Sequence, residues 1–324
     1  MDKQRPMLVS EKHKPANPHF DHERVVWSDE YSGQYHPVEY REQFDDQWRL
    51  YLARQRGFYE HTGVETSDPY IDDRIYELTG VPGYLTRCRY GRFSPLVQTI
   101  RQWKKGAEEQ RDIGGRLHLD PKFPIDYFKE RRCLDIGCGA GRWTRTLLAL
   151  GARVKSVDVS PHALRSTRRF NHDVEELNLF DIIDRRPDLH EAFDFTLCWG
   201  VVMCTHDPKV AFQNVCRTVR PRGQLYSMVY APTYHNSPFV LEHRRRYHTE
   251  LKTTEEKLQY AYQIADRPEN AINLFDMLNT FFNWTIGEEV IRQWYDSNGF
   301  TDVVTLNKNE QNKCAYHMLG TKRE

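Results

Sequence analysis

One stretch of the chain, residues 131–149, constrains its fold more than any other. It begins with the short apolar run Cys133-Leu134-Asp135-Ile136, which predicts a strand. Glycines follow at alternate positions (Gly137, Gly139 and Gly141), and apolar side chains then recur at helical spacing. A strand, a glycine-rich turn and a helix N-terminus let the backbone approach a polar small molecule closely. The sequence therefore predicts a small-molecule site at this turn.

Strands and helices alternate from residue 120 onward, which indicates an α/β fold with a parallel sheet. Two further strands, TDVVTLN and AYHMLGTK, are predicted to close the chain as an antiparallel pair at the sheet edge. Thr285 and Glu288 have capping-box spacing and predict the start of the last helix. The five strands predicted before it span residues 132–136, 153–159, 175–180, 193–199 and 224–230.

The chain divides into four parts by pattern. The first part holds an irregular or partly disordered arm over residues 1 to about 40 and three predicted helices. The first helix covers Tyr40 to Arg56. The second begins at Asp68-Pro69, and the third begins at Ser94-Pro95. The predicted parts are an N-terminal arm and helical cap (1–116), an α/β core (117–231), a helical insertion after the fifth strand (232–284), and a C-terminal helix with edge strands (285–324).

Composition narrows the function. Lys plus Arg and Asp plus Glu both number 46, so the formal charge is zero, which disfavours a nucleic-acid partner. No apolar run approaches the length of a membrane span, and the N-terminus lacks the apolar core of a signal peptide. The seven cysteines show no CxxC spacing, which indicates reduced thiols in a cytoplasmic protein.

The glycine turn does not fit two common nucleotide sites. A dinucleotide fold needs a small residue at the third position of G-x-G-x-x-G/A, and Arg142 occupies that position here. A triphosphate loop needs G-K-[ST], which does not follow. The spacing present is G-x-G-x-G, preceded by the acid Asp135.

Four motifs in order resemble the class I S-adenosylmethionine-dependent methyltransferases. They are DIGCGAG at Asp135 to Gly141, VDVS at Val157 to Ser160, FDFTLCWGVVMCTHDP at Phe193 to Pro208, and RPRGQLYSMVY at Arg220 to Tyr230. The resemblance implies a Rossmann-like, seven-stranded, mostly parallel sheet with helices on both faces. It also implies S-adenosylmethionine as cofactor and S-adenosylhomocysteine as product.

The resemblance also assigns cofactor-binding residues. Gly137 and Gly139 are expected to meet the amino-acid part of the cofactor, and Asp135 is expected to orient the turn or accept from its ammonium group. Asp158 is expected to accept both ribose hydroxyls, and Asp181 to hold the adenine amino group. The remaining members of the predicted cofactor site are Cys138, Gly141, Val159, Cys198 and Trp199.

Methyl transfer is an in-line displacement, so positioning contributes most of the catalysis, and a base is needed only for an acceptor with a proton of high pKa. His206, in the loop after the fourth strand, is the candidate base; the alternative is a histidine that fixes this loop. No metal site is predicted, because no ligand cluster has suitable spacing.

Residues outside the core are candidates for closing over the substrate. Their aromatic members are Tyr31, Tyr35 and Trp48, for which packing of short helices on the sheet is the alternative. Arg244 and Arg245 follow the fifth strand and are predicted near the substrate mouth, although such a basic run is more often a solvated helix face. A looser resemblance covers the Gln47-Trp48 segment and the stretches Phe275 to Leu278 and Thr285 to Trp294. It relates the chain to bacterial-type methyltransferases of sugars, glycans and specialised metabolites.

The predicted function is methylation of an oxygen or nitrogen atom of a small molecule, a sugar or a specialised metabolite. A small-molecule substrate is the expected partner, without a membrane, and a homodimer is compatible with the sequence. Two alternatives stay open at this point. One is an RNA or protein methyltransferase, and the other is a non-catalytic subunit that binds S-adenosylmethionine.

Overall fold

The computed structural model describes residues 25–62, 67–80, 123–233, 237–266, 271–308 and 313–324. Residues 1–24 of the predicted arm and the helix predicted from Ser94-Pro95 lie outside these ranges. Within them, no helix is both long enough and apolar enough to cross a membrane.

One seven-stranded sheet organises the described residues, with strand order β3-β2-β1-β4-β5-β7-β6. Strands β1 to β5 pair in parallel, whereas β7 is antiparallel to both β5 and β6. The predicted α/β class and mostly parallel sheet are therefore confirmed. The strands are β1 Arg132–Ile136, β2 Arg153–Asp158, β3 Val174–Glu176, β4 Phe193–Trp199, β5 Val219–Tyr230, β6 Phe300–Thr305 and β7 Ala315–Lys322.

Strand β3 is shorter than the predicted 175–180. The side chain of Asn178 accepts a hydrogen bond from the backbone N–H of Phe180 (3.0 Å), and the backbone N–H of Asp181 bonds to the Asn178 carbonyl (3.2 Å). Asn competes for backbone groups in this way and favours a turn over a sheet ladder. The chain therefore leaves the sheet directly after Glu176.

In the described ranges, ten α-helices connect or flank the strands. Three of them begin after a residue whose side chain accepts from the backbone of the first turn, with proline at the first helical position; these caps are Ser160, Asp207 and Ser237. The helices are α1 Tyr40–Thr62, α2 Ser67–Thr79, α3 Arg142–Ala149, α4 Pro161–Thr167, α5 Ile182–Arg185, α6 Pro208–Cys216, α7 Pro238–Thr249, α8 Thr254–Ile264, α9 Ala271–Asn279 and α10 Glu288–Ser297.

The predicted capping box at the start of α10 is wrong. Gly287 is the N-cap residue, and its cap has no side-chain hydrogen bond. The Thr285 hydroxyl is buried and donates to the carbonyl of Val25, while Glu288 accepts from Thr305. Both side chains are used to attach neighbouring segments, so neither is available for the cap.

Apolar side chains on the two faces of the sheet form separate clusters. Helices α2 and α3 pack on one face, where Ile75 and Leu147 contact sheet residues such as Phe195. Helices α6 and α10 pack on the other, where Phe212 and Trp294 belong to the larger cluster. Both faces of a parallel sheet must be covered, and this arrangement covers them.

The segment at residues 25–38 is irregular but well packed. Trp27 and Tyr35 are buried, and Tyr31 stacks on Trp284 with ring centres 5.9 Å apart. The ring of Tyr35 lies 5.5 Å from that of Trp284 and 6.1 Å from that of Phe282. Tyr31 and Tyr35, predicted as lid residues, thus belong to an aromatic cluster that anchors the chain to the segment before α10.

Arg244 is placed differently from its prediction at the substrate mouth. Its guanidinium is buried and donates to backbone carbonyls in the last turn of α9 and in the segment after this helix. The last carbonyls of a helix have no partner within it, and a cationic side chain stabilises them. The four accepting carbonyls are those of Met277 (2.8 Å), Leu278 (3.3 Å), Thr280 (2.7 Å) and Phe281 (3.0 Å). Arg245, its neighbour on α7, is exposed.

Replacing Arg244 by Lys should lower the free energy of unfolding by about 2–3 kcal/mol, because an ammonium group cannot reach all four carbonyls. Urea unfolding followed by circular dichroism measures the change. The matched control is Arg245→Lys on the exposed side of the same helix, which should stay within about 0.5 kcal/mol of the unmodified protein. Equal effects of the two substitutions would contradict the assigned role of Arg244.

Candidate functional site

Strand register brings the predicted site residues to one edge of the sheet. Ile136, the last residue of β1, pairs with Val157 of β2 and with Cys198 of β4. The residues that follow these strands therefore lie side by side at the carboxyl edge. Ligands of open α/β sheets bind at this edge.

The glycine turn after β1 is held tightly against its surroundings. Gly137 and Gly139 have φ values of 66° and 54°, a region that favours glycine. A Cβ on Gly137 would lie 2.3 Å from Val201, and one on Gly139 would lie 2.3 Å from the ring of Trp48. Both positions therefore require glycine for the backbone angle and for the closeness of a neighbouring side chain.

The side chain of Asp135, the residue two positions before the first turn glycine, is buried in the protein and does not face solvent. Its carboxylate is buried and accepts from the hydroxyl of Thr144 (2.7 Å), which is also bonded to Ser156 (2.8 Å). The pKa of Asp135 is raised to about 7: burial is the main cause, the nearby Asp158 adds to it, and the Thr144 hydrogen bond acts in the opposite direction. The side chain joins β1 to the first turn of α3, which orients the glycine turn.

Asp158, the last residue of β2, is hydrogen-bonded to the same glycine turn. Its Oδ2 accepts from the backbone N–H of Gly139, and its Oδ1 from that of Ser160, both at 2.8 Å. Burial raises its pKa, and the backbone hydrogen bonds oppose that change. A carboxylate offers about four acceptor sites, so two remain for hydroxyl donors.

Asp181 has one unused oxygen. Within the described part of the chain, its Oδ1 is buried and has no hydrogen-bond partner, while Oδ2 lies 4.0 Å from Arg185. It is the residue before α5, but its side chain makes no capping bond. A buried carboxylate oxygen without a donor is costly, so this oxygen is suited to a donor from a ligand.

Helix α1 crosses the carboxyl edge and touches each part of it. Asp45 accepts from the hydroxyl of Ser160 (2.8 Å) and from the backbone N–H of His162 (2.9 Å), at the start of α4. Trp48 lies against Gly139, and the side chain of Gln43 accepts from the backbone of Phe281 (3.0 Å). The helix therefore joins the glycine turn to the insertion.

His206 is attached to the start of α1. The Tyr40 hydroxyl is 2.8 Å from His206 Nδ1 and accepts from the His206 backbone N–H at 2.7 Å. The ring of Phe180 lies 4.2 Å from the imidazole. Burial lowers the pKa of His206 to about 4, so the ring is neutral at pH 7.

The sequence matches a known family over this region. Residues 134–227 match the family described as "Methyltransferase domain", a range that runs from β1 into β5 and includes the glycine turn, Asp158 and Asp181. This part of the chain is a class I methyltransferase domain. Its cofactor is S-adenosylmethionine.

Relatives of the methyltransferase domain carry related names. The chain is 27% identical over 153 residues to a mitochondrial ubiquinone biosynthesis O-methyltransferase of Schizosaccharomyces pombe, covering 41% of this chain and 51% of the relative. It is 26% identical over 196 residues to a tRNA U34 carboxymethyltransferase of Cellvibrio japonicus, covering 55% and 56%. The chain thus spans about half the length of the curated relatives it matches.

Solved structures with similar folds include a SAM-dependent methyltransferase from Archaeoglobus fulgidus. The TM-score is 0.41 and the sequence identity 16%, with coverage of 61% of this chain and 89% of the other.

The residues of the domain fit its cofactor. Two carboxylates with free acceptor capacity, Asp158 and Asp181, lie at successive positions along the carboxyl edge, and the buried Asp181 Oδ1 lacks a donor among the described residues. A glycine turn beside them leaves no Cβ to obstruct a ligand. Ribose hydroxyls and an adenine amino group are the donors that such carboxylates accept.

The other predicted cofactor residues fall into two groups. Cys138 and Cys198 are buried thiols, whose pKa values burial raises, so they contribute backbone and packing and are not nucleophiles. Val159 and Trp199 are half-buried at the ends of β2 and β4. The Trp199 ring centre lies 4.9 Å from the Arg142 guanidinium. Arg142 is the first residue of α3 and thus lies next to the glycine turn. It is the residue whose size argued against a dinucleotide site.

The sequence assigned no individual role to Asp45, Gln47 or Asp276. Gln47 and Asp276 were included only as parts of the segments that carry the looser family resemblance. Gln47 Nε2 donates to Asp276 Oδ1 across 229 positions of sequence. Only α1 and α9, packed on each other, bring the two together, so no local pattern could have revealed the pair.

Replacing Asp135 by Asn should change how stability depends on pH. Between about pH 4 and 7 the folded protein keeps a proton on Asp135 that the unfolded chain loses, so the free energy of unfolding falls as the pH rises through this window. The Asn variant lacks this contribution. Its stability relative to the unmodified protein should rise by about 1–3 kcal/mol from pH 5 to pH 8, measured by urea unfolding. Parallel pH profiles would show that Asp135 has an ordinary pKa.

Proposed function

We propose that the chain transfers a methyl group from S-adenosylmethionine to an oxygen or nitrogen atom of a small molecule, such as a sugar or specialised metabolite. The observation that carries the proposal is the closure of α1 over the glycine turn of a methyltransferase domain. Trp48 of this helix packs on Gly139, and Gln43 of the same helix bonds to Phe281 of the insertion.

The chain's own residues have distinct parts in this proposal. The cofactor supplies an electrophilic methyl group bound to a sulfonium. Asp158 would accept the ribose hydroxyls, and Asp181 Oδ1 the adenine amino group. The backbone of Gly137 and Gly139 would meet the amino-acid part. Holding donor and acceptor in line supplies most of the rate enhancement of such a reaction.

A small acceptor is supported by what covers the site. Helix α1 is bonded to the start of α4 through Asp45 and to the end of α9 through Gln43. Because α1 is bonded on both sides of the glycine turn, we expect it to favour a small acceptor over a bulky one. The zero net charge disfavours a nucleic-acid substrate.

RNA is the second candidate acceptor, because the relative aligned over 55% of this chain is named as a tRNA-modifying enzyme. Arg165, Arg168 and Arg169 are exposed in and after α4 and could contact phosphates. Transfer of a labelled methyl group to bulk tRNA, together with binding that weakens steeply as salt rises, would favour RNA. Labelled product among small molecules from a cell extract would favour the first candidate.

Binding of S-adenosylhomocysteine, measured by calorimetry, tests the proposal directly. Replacing Asp158 by Ala should weaken this binding at least about tenfold, since the ribose hydroxyls lose a charged acceptor. Asp188→Ala, at an exposed carboxylate beyond α5, is the matched control and should bind like the unmodified protein.

Two outcomes would count against the proposal. A folded, unmodified protein that binds neither S-adenosylmethionine nor S-adenosylhomocysteine would overturn it. A folded Asp158→Ala variant with unchanged affinity would remove Asp158 from the ribose site and leave the rest of the proposal in place.

For His206 we propose that it positions the loop after β4, in preference to the predicted role as a base. An imidazole whose pKa is about 4 is a weak base, and its Nδ1 is engaged by Tyr40. A double-mutant cycle of Tyr40→Phe and His206→Ala should show a coupling of about 0.5–1.5 kcal/mol in the free energy of unfolding. Additive effects would mean that this contact does not hold the loop.

A further inference from the structure

Helix α1 covers one face of the glycine turn. If Gly139 carried a Cβ, that atom would lie 2.3, 2.5 and 3.1 Å from three carbon atoms of the Trp48 indole, so the ring rests directly on this glycine. The backbone N–H of Gly139 donates to Asp158 (2.8 Å), and its carbonyl accepts from the hydroxyl of Thr167 (3.0 Å). A glycine leaves room for the close approach of a ligand on the side where it lacks a Cβ. At Gly139 the Trp48 indole fills that room.

The other two turn glycines are covered from within the methyltransferase domain of residues 134–227. Each covering side chain lies 2.3 Å from the Cβ position of its glycine; the covers are Val201 at Gly137 and Phe170 at Gly141. Trp48, by contrast, is brought to the turn by a helix outside the matched domain. A movement of α1 can therefore uncover Gly139 while the sheet and its own helices stay in place.

A three-point contact holds this part of α1 on the domain. Asp45 and Trp48 are three positions apart and so lie on the same face of the helix. The carboxylate of Asp45 accepts from Ser160 Oγ (2.8 Å) and from the backbone N–H of His162 (2.9 Å), and its Oδ2 lies 2.7 Å from His162 Nδ1. Burial acts to raise the pKa of Asp45, but the hydrogen bonds from His162 and Ser160 bring it below the ordinary value. The carboxylate is therefore charged at pH 7.

The contact through Asp45 is easier to open than the packing on the other side of α1. The side chains of Asp45 and His162 are 28% and 30% exposed, so water can replace their hydrogen bonds. On the other side, Leu50 packs against an apolar cluster of the insertion that includes Tyr247 and Phe275. Helix α1 is thus attached to the insertion by apolar burial and to the start of α4 by polar bonds that water can replace.

The N-terminal end of α1 is fixed more firmly to the domain. Tyr40 is buried, its hydroxyl accepts from the backbone N–H of His206 (2.7 Å), and its ring stacks on Phe180 with ring centres 6.3 Å apart. Trp48 is eight residues further along, about 12 Å from Tyr40 along the helix axis. A small rotation of α1 about its N-terminal end therefore moves the indole away from Gly139.

We propose that α1 is a gate over the methyl-donor site, with the Trp48 indole as its cover and Asp45 as the latch that holds it closed. The inference rests on the proposed methyltransferase function, because the molecules that pass the gate are S-adenosylmethionine and S-adenosylhomocysteine. In the closed position the indole stands on the side of Gly139 that admits a ligand. Entry and exit of the cofactor therefore require α1 to move, and Asp45 sets the rate of both.

A latch has a different kinetic signature from a residue that contacts the cofactor. The three bonds of Asp45 join parts of the protein, so they hold the gate closed with and without cofactor. Loosening them increases the open fraction of both forms, and association and dissociation accelerate together. Their ratio, the dissociation constant, changes little. Loss of a residue that acts only on the bound cofactor changes dissociation and leaves association as it was.

Replacing Asp45 by Ala should raise the association and dissociation rate constants of S-adenosylhomocysteine about tenfold each, because three hydrogen bonds of a charged group are lost. The dissociation constant should change by less than about threefold. Surface plasmon resonance over the immobilised full chain measures both rates, and calorimetry measures the dissociation constant independently. The matched control is Glu42→Ala, which removes an exposed carboxylate three residues earlier on the same helix and should leave both rates unchanged.

His162→Ala supplies a second measurement should Asp45→Ala not fold. It removes the imidazole contact alone, at a half-buried position, and should accelerate both rates about two- to fivefold. An association rate that is unchanged in every latch variant that folds, with or without faster dissociation, would overturn the gate and leave the methyltransferase proposal in place. Failure of the unmodified protein to bind S-adenosylmethionine and S-adenosylhomocysteine would overturn the methyltransferase proposal itself.

Discussion

The carboxylate of Asp158 is the contact on which the site depends. By accepting from the backbone of Gly139 and of Ser160, it fixes both the glycine turn and the start of α4 at the end of one strand. Ser160 then caps α4 and donates to Asp45 of α1. A single buried acid therefore connects the strand edge, the turn and the helix that closes over them.

Helix α1 joins several segments at the carboxyl edge of the sheet. Residues on it reach the glycine turn through Trp48, the loop after β4 through Tyr40, and α9 through Gln47. Each contact joins parts of the chain far apart in sequence. Helix α1 and the insertion lie outside residues 134–227, so the preference for a small acceptor that we propose depends on segments beyond the matched methyltransferase domain.

Buried polar groups fall into two classes here, with different consequences. Arg244 is buried with both terminal nitrogens donating to carbonyl oxygens, so it stabilises the end of α9. Asp181, by contrast, keeps a buried oxygen, Oδ1, to which nothing donates in the described residues. Hydrogen bonds left unmade cost stability, and such positions are where ligand binding can recover the loss.

The sequence by itself determined the parallel sheet, the glycine turn and the order of acids along the strand ends, because these follow from local periodicity and from backbone angles that glycine permits. It also indicated the methyl-donor class through four ordered motifs. The tertiary structure alone decided that Tyr31 and Tyr35 pack against Trp284, that Arg244 donates to carbonyls at the end of α9, and that Gln47 meets Asp276. Those outcomes depend on contacts between distant segments, and a residue's type does not reveal which distant partner will use its hydrogen bonds.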